Sequence, residues 1–309
     1  MGKERRKKAG SDSVKILVTG GCGFIGSHLV EELITQGHEV SVVDNLHTGS
    51  LENIKGLNVH FIEKSCGLLT AEEVSHTEGI FHLGIYSSSP MYRKDPSLVG
   101  KAVTDFLNIL ALARVLNARV VWASTSSIYN GNPPPWKEDM PVLVKDYYTE
   151  ARYYMERLAA LHYDWYQTET VGLRLFSVYG PREESKGQYA NLVSQFLWSM
   201  RGGNSPVIYG DGTQKRDFTH VYDIVRGILI AFDSHVEHDI FNLGTGVSYS
   251  LNELVDVING GLGTDIQPEY VDNPIKGYIE ETLAETSKAK TVLDFEANID
   301  LKEGVQTIL

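Results

Sequence analysis

Three glycines, Gly20, Gly23 and Gly26, stand in GxxGxxG spacing within Thr19-Gly20-Gly21-Cys22-Gly23-Phe24-Ile25-Gly26. That spacing suits a tight turn, a bare backbone that a pyrophosphate can approach, and a helix packed close to the preceding strand. The amides at the start of such a helix face the anion. A glycine triplet alone is a weak signal, because glycines serve many turns. Its position strengthens it: the apolar run Val14-Lys15-Ile16-Leu17-Val18 precedes it, and helical periodicity follows from Phe24 to about residue 36. Asp44 closes a second apolar run 18 residues beyond Gly26. A carboxylate there accepts hydrogen bonds from an adenosine ribose and repels a 2'-phosphate. The implied chemistry is capture of a dinucleotide, with NAD favoured over NADP.

The elements that must hold these groups alternate along the chain. Buried-strand patterns cover residues 14–18, 39–43, 59–62, 79–83, 119–123 and 171–176, with helical stretches between most of them. Two helices are long, over 97–116 and 147–166. This alternation predicts an α/β fold: a doubly wound parallel Rossmann sheet, covered on both faces, with ligands at the carboxyl ends of the strands. After Tyr179-Gly180-Pro181 the elements shorten, and Gly, Asn and Pro become more frequent. A smaller C-terminal α/β substrate lobe is therefore expected. The NAD-binding domain is placed at 14–180, with 220–246 returning to it, and the substrate lobe at 181–219 and 247–309. Residues 1–13, with basic residues over 3–8, are read as a disordered tail.

The formal charge of -12 argues against a general nucleic-acid binder, so an anionic substrate must be held by local cations. No apolar run approaches the ~20 residues that span a bilayer. Two cysteines, Cys22 and Cys66, supply neither a disulfide framework nor a four-ligand zinc site, and the ten histidines show no paired-ligand spacing. A soluble cytoplasmic protein without a metal is expected.

Gly20 to His28 and Val42-Val43-Asp44-Asn45-Leu46 resemble the extended short-chain dehydrogenase/reductase family, specifically its NAD-dependent sugar-nucleotide epimerases and dehydratases. The resemblance covers nearly all of residues 14–300. It implies NAD as cofactor and a nucleotide sugar as substrate. It assigns the cofactor to Gly20, Gly23, Phe24, Ile25, Gly26, Asp44, Asn45 and Leu46, to Leu83, Gly84 and Ile85 after the fourth strand, and to Phe176 and Val178 after the sixth. Ser65 stands where the family has an Asp that meets adenine, and Ala102 where it has an Asn.

The fifth strand runs into Ser124-Thr125-Ser126-Ser127-Ile128-Tyr129, and the later helix opens Tyr147-Tyr148-Thr149-Glu150-Ala151-Arg152. These match the family's Ser/Thr and Tyr-xxx-Lys positions. Counted from Glu156, which aligns with the family's helical Glu, the catalytic phenol is Tyr148 and the Lys position holds Arg152; Tyr147 is the alternative register. Tyr148 and Arg152 are also assigned to the cofactor. The chemistry needs a phenol to accept a proton from a sugar hydroxyl while hydride leaves the same carbon for nicotinamide. A free phenol titrates near ~10, and a neighbouring cation moves it toward neutrality. Thr125 shortens the proton path. Arg supplies charge but never gives up its proton, which excludes a neutral amine at that place. Family dehydratases carry Ser-Thr-Asp-Glu at this strand end, and decarboxylases a Glu at the second of those places. Ser126 and Ser127 provide no carboxylate for elimination, so epimerisation is expected, with UDP-glucose and UDP-galactose at C4 as the leading pair.

The resemblance further implies substrate contacts from Ser88, Thr125, Ser126, Ser177, Lys186, Tyr209 and Arg216. Arg216 has a fork that suits phosphate oxygens. A second phosphate Arg is expected near Gly277, where the chain instead carries Glu280. Pro181-Arg182-Glu183-Glu184-Ser185-Lys186-Gly187 also resembles the hinge of ADP-heptose 6-epimerases, in which a Lys at the place of Lys186 is an acid or base. Epimerisation of another carbon or sugar is thus one alternative. A non-catalytic dinucleotide-binding or redox-sensing protein is another, motivated by Arg152, Ser65, Ala102 and Ser177. The family and the apolar helix faces imply a homodimer through 97–116 and 147–166.

Overall fold

The structure, a computed structural model, describes residues 13–274 and 278–309. The basic stretch 3–8 and Gly277 lie outside the described residues.

Strand β1 (Lys15–Thr19), helix α1 (Phe24–Thr35), β2 (Glu39–Asp44) and β3 (His60–Glu63) form one wing of a sheet. β4 (Gly79–His82), α2 (Ser89–Lys94), α3 (Leu98–Leu116), β5 (Arg119–Thr125), α4 (Tyr147–Tyr166) and β6 (Thr170–Leu175) form the other. The chain continues through β7 (Val178–Tyr179), α5 (Leu192–Arg201), β8 (Val207–Tyr209), β9 (Lys215–Arg216), β10 (Thr219–His220) and α6 (Val221–Asp233). It closes with β11 (His238–Leu243), β12 (Tyr249–Ser250), α7 (Leu251–Leu262), β13 (Glu269–Val271) and α8 (Leu301–Gln306).

The central sheet has seven strands in the order β11-β6-β5-β4-β1-β2-β3, every neighbouring pair parallel. Both faces must then be covered, which explains near-continuous apolar runs such as Ile16, Leu17 and Val18, each almost fully buried. On one face Leu29, Val30 and Leu33 of α1 pack with Ile224, Val225 and Ile228 of α6. On the other, Phe106, Ile109 and Leu110 of α3 pack with Met155 and Ala159 of α4. A third cluster joins Val193, Phe196 and Leu197 of α5 to Leu254 and Ile258 of α7 in the smaller lobe.

The direction of winding reverses between β1 and β4, the place where a crevice opens at the carboxyl ends of a doubly wound sheet. Among the described residues, no helix is long and apolar enough to cross a membrane.

Candidate active site

A cavity of about 400 Å³ opens at that crevice, between the sheet and the smaller lobe. Its floor is the glycine turn. A Cβ on Gly26 would lie 2.1 Å from the Gly20 carbonyl oxygen, and one on Gly20, whose φ is +71°, would lie 2.6 Å from the Gly84 Cα. The loops after β1 and β4 therefore touch backbone to backbone, as a cradle for a pyrophosphate requires. Helix α1 begins at this turn with no side-chain cap and no acidic residue in its first turn. Its amides and positive dipole end are left for an anion. Gly26→Ala is expected to lower both cofactor affinity and the thermal midpoint, checked by calorimetry and circular dichroism, because neither carbonyl nor helix can retreat.

Asp44, at the end of β2, is fixed by two backbone donors: Cys22 N at 3.0 Å to Oδ2 and Leu46 N at 2.8 Å to Oδ1. Burial raises its pKa and these hydrogen bonds oppose the rise. Beneath the β1 and β4 loops, Gly84 N donates to Thr19 Oγ1 at 3.1 Å, and Thr19 Oγ1 lies 2.8 Å from His82 Nδ1. Burial, then the charge of Arg152, pushes the His82 imidazole down to about 3, so it stays neutral.

The catalytic end is built by β5, α4 and the segment after β6. Asp146 caps α4 by accepting from Thr149 N at 2.8 Å, which sets the first turn carrying Tyr148. Tyr148 lines the cavity, whereas Tyr147 is 53% exposed and outside it. Among the described residues no group hydrogen-bonds the Tyr148 hydroxyl; its ring packs on Tyr92 at 5.5 Å. One turn on, the Arg152 guanidinium carbon lies 5.2 Å from the Tyr148 ring centroid. Arg152 is anchored by the carbonyls of Tyr86, 2.9 Å from Nη2, and Ala123, 3.5 Å from Nη1. Its Nε is buried without a partner among the described residues. Thr125 Oγ1 accepts from Ser127 N at 3.2 Å, which leaves its own proton to donate.

Gly20, Gly23, Phe24, Ile25, Gly26, Asp44, Asn45, Leu83, Gly84, Ile85, Thr125, Ser126, Tyr148, Arg152, Ser177, Val178, Lys186 and Arg216 all line this one cavity. The bare cradle, the carboxylate at the end of β2 and the unpartnered donor beside Tyr148 fit an NAD molecule laid across the strand ends.

Four expected residues do not line the cavity. Phe176 is fully buried against Tyr129 and Trp136, and Leu46 packs on the core below. Ser88 precedes α2, with its hydroxyl buried and unpartnered among the described residues, while its neighbour Ser87 lines the wall. Tyr209 is 39% exposed on β8. In this structure Phe176 and Leu46 are packing residues, and Ser88 and Tyr209 stand outside the cavity wall.

Lys186 reaches the cavity wall as an ion pair with Glu183 at 2.7 Å and lies 5.3 Å from the Phe24 ring centroid. Glu183 is held in turn by Asn191 N and Ser194 Oγ. Arg216 donates to the Glu280 carbonyl at 3.3 Å, and Ile279 and Thr282 beside it line the cavity. His47, Tyr86, Asp105, Tyr189 and Asn191 also line the cavity. Each belongs to a loop or helix whose side-chain direction no local pattern discloses.

A profile of the NAD dependent epimerase/dehydratase family matches residues 16–244. A putative UDP-glucose 4-epimerase of Methanocaldococcus jannaschii is 32% identical over 305 residues, spanning 95% of this chain and 97% of that protein. UDP-glucuronic acid decarboxylase 1 of Arabidopsis thaliana is 33% identical over 314 residues, spanning 96% of this chain and 69% of that protein. The crystal structure of Thermotoga maritima UDP-glucose 4-epimerase with UDP-glucose superposes with a TM-score of 0.89 at 31% identity, covering 95% of this chain and 97% of the other. With its parallel seven-stranded sheet and NAD cradle, the chain belongs to the NAD dependent epimerase/dehydratase family of sugar-nucleotide enzymes.

Proposed function

We propose that the chain inverts one carbinol carbon of a nucleotide sugar, with UDP-glucose and UDP-galactose at C4 as the leading pair. One observation carries this reading. Among the described residues lining the cavity, the carboxylates are Asp44 and Asp105, on β2 and α3. Thr125, Ser126, Ser127 and Ser177, which carry hydroxyls, line the same cavity as Tyr148. Elimination of water needs a further acid and base beside the sugar in addition to the phenol, and the aliphatic hydroxyls of Ser126 and Ser127 stand where carboxylates would serve. Oxidation and return at one carbon needs only a proton acceptor.

NAD, when bound, supplies the acceptor for a hydride from the sugar carbon and the donor that returns it. Tyr148 takes the proton of the sugar hydroxyl and gives it back. Arg152 holds a fixed positive charge 5.2 Å from the Tyr148 ring centroid, one helical turn away. Thr125 relays or orients the same proton. Arg216 brings positive charge to the cavity wall for the substrate's diphosphate. Between the two transfers the keto sugar turns its other face, and no net redox change results.

Lys186 on the cavity wall supports a second reading, epimerisation of another carbon or sugar such as an ADP-heptose. A homodimer through α3 and α4 is part of the proposal, supported by exposed Leu107, Val115, Tyr154, Leu161 and Trp165 on those helices. Cytoplasmic residence fits the free cysteines Cys22 and Cys66.

The test is incubation of the purified protein with UDP-galactose, UDP-glucose, UDP-glucuronic acid and ADP-heptose, with products read by proton NMR. The expected product is the C4 epimer of a UDP-hexose. Carbon dioxide from UDP-glucuronic acid, or a 4-keto-6-deoxy sugar, would contradict the reading; conversion of ADP-heptose alone would favour the second.

A further inference from the structure

Asp105 lies outside both the glycine turn and the catalytic helix, yet lines the same cavity from α3. Its carboxylate stands 3.2 and 3.3 Å from the hydroxyl of Ser65, forty residues away in sequence. One turn along α3, Asn108 Nδ2 donates to the carbonyls of Cys66 at 2.9 Å and Leu69 at 3.1 Å, so the segment after β3 is strapped to α3. Gly67 makes room: a Cβ there would lie 2.0 Å from Asp105 Oδ1.

Strand order locates this corner. β2 separates β1 from β3, and Lys64 N donates to the Asp44 carbonyl at 3.1 Å. Residues 64–66 therefore flank Asp44 on the side away from β5 and Tyr148. A dinucleotide with its pyrophosphate on the glycine turn and its adenosine ribose at Asp44 places its base beyond Asp44, toward residues 64–66 and Asp105.

The groups in that corner differ in what they can accept. Lys64 is a donor and is paired with Glu73 at 2.7 Å. Cys66 has its thiol pushed up to about 12 by burial and is a weak partner. An ionised carboxylate is acceptor-only, with about four lone-pair sites. The Ser65 hydroxyl and the Gly67 amide occupy part of that capacity. Adenine carries one donor group, its exocyclic amine. Burial favours the neutral carboxyl of Asp105, whereas Ser65 and Lys101, one turn earlier on α3, favour the charged form.

We propose that Asp105 accepts a hydrogen bond from the adenine amino group of the cofactor and so selects a base that carries that donor. The proposal rests on NAD as the bound dinucleotide. Asp105 is a specificity residue, distinct from the ribose-binding Asp44.

Calorimetry on the full chain, freed of copurified cofactor, compares NAD with the analogue carrying unsubstituted purine in place of adenine. The wild-type chain is expected to prefer NAD by about tenfold to a hundredfold, the size of one hydrogen bond to a charged group. Asp105→Ala should weaken NAD by that factor and bind both dinucleotides equally. Asp105→Asn, which keeps an acceptor oxygen, should retain part of the preference. Equal binding by the wild type, a preference that survives in Asp105→Ala, or equal weakening of both ligands in that variant would overturn the proposal, the last by reducing Asp105 to a clamp on the loop. Because the wild-type comparison needs no substitution, a poorly folded variant leaves the test intact. Failure of the wild type to bind either dinucleotide would overturn the proposal together with the cofactor assignment.

Discussion

Tyr148→Phe is expected to lower kcat by about 10²–10⁴-fold, the usual contribution of a positioned acid or base, while leaving NAD affinity within a few-fold and the thermal midpoint nearly unchanged. The separation follows from the geometry. The ring of Tyr148 is 8% exposed and packs on Tyr92, contacts that Phe keeps. Among the described residues the hydroxyl has no partner, so its removal strands no buried donor or acceptor. Progress curves by NMR, with NAD calorimetry on the same preparation, check both halves. Undiminished turnover in the variant would remove Tyr148 from the chemistry.

Glu156→Ala is expected to cost about 3–5 kcal/mol of stability, as breaking one side of a buried ion pair does. Glu156 sits one turn beyond Arg152 on α4 with its side chain 4% exposed, and Arg174 on β6 is 5% exposed. The carboxylate accepts Arg174 Nε at 2.9 Å, Arg174 Nη2 at 2.7 Å and Ser124 Oγ at 2.6 Å. Arg174 reaches on to the Tyr129 hydroxyl at 2.6 Å, and Tyr129 donates to Asn242 Oδ1 at 2.7 Å. Removing the carboxylate leaves a guanidinium in the interior without its direct ion-pair partner, only the more distant Glu138 carboxylate opposing its charge, and loosens the joint between α4, β5 and β6 that carries the catalytic side chains. Urea unfolding should show a lower midpoint at similar slope. An unchanged midpoint would mean that water or local rearrangement satisfies Arg174.

The sheet was legible because a doubly covered parallel strand must be apolar along its length, so Val14 to Val18 and Val171 to Phe176 announce themselves. The glycine turn was legible because close backbone contact tolerates no side chain. Side-chain direction at strand ends was not. Leu175 and Ser177 line the cavity, whereas Phe176 between them packs on Tyr129 and Trp136 where the chain leaves the strand and Ser177 takes a φ of +25°. Asn45 and His47 line the cavity on either side of Leu46, whose φ of +55° likewise breaks the extended backbone. Resemblance marks the segment, whereas the local turn of the backbone decides which member faces the cavity. Asp105 escaped notice for another reason. Its partner Ser65 is forty residues distant, and no local pattern joins a loop serine to a helical aspartate.

The most direct test of the central claim follows a label. With a UDP-hexose deuterated at C4 as substrate in ordinary water, inversion by oxidation and return should give a C4 epimer that keeps its deuterium at C4, with no accumulation of reduced cofactor. Loss of the deuterium to solvent during inversion would contradict the account.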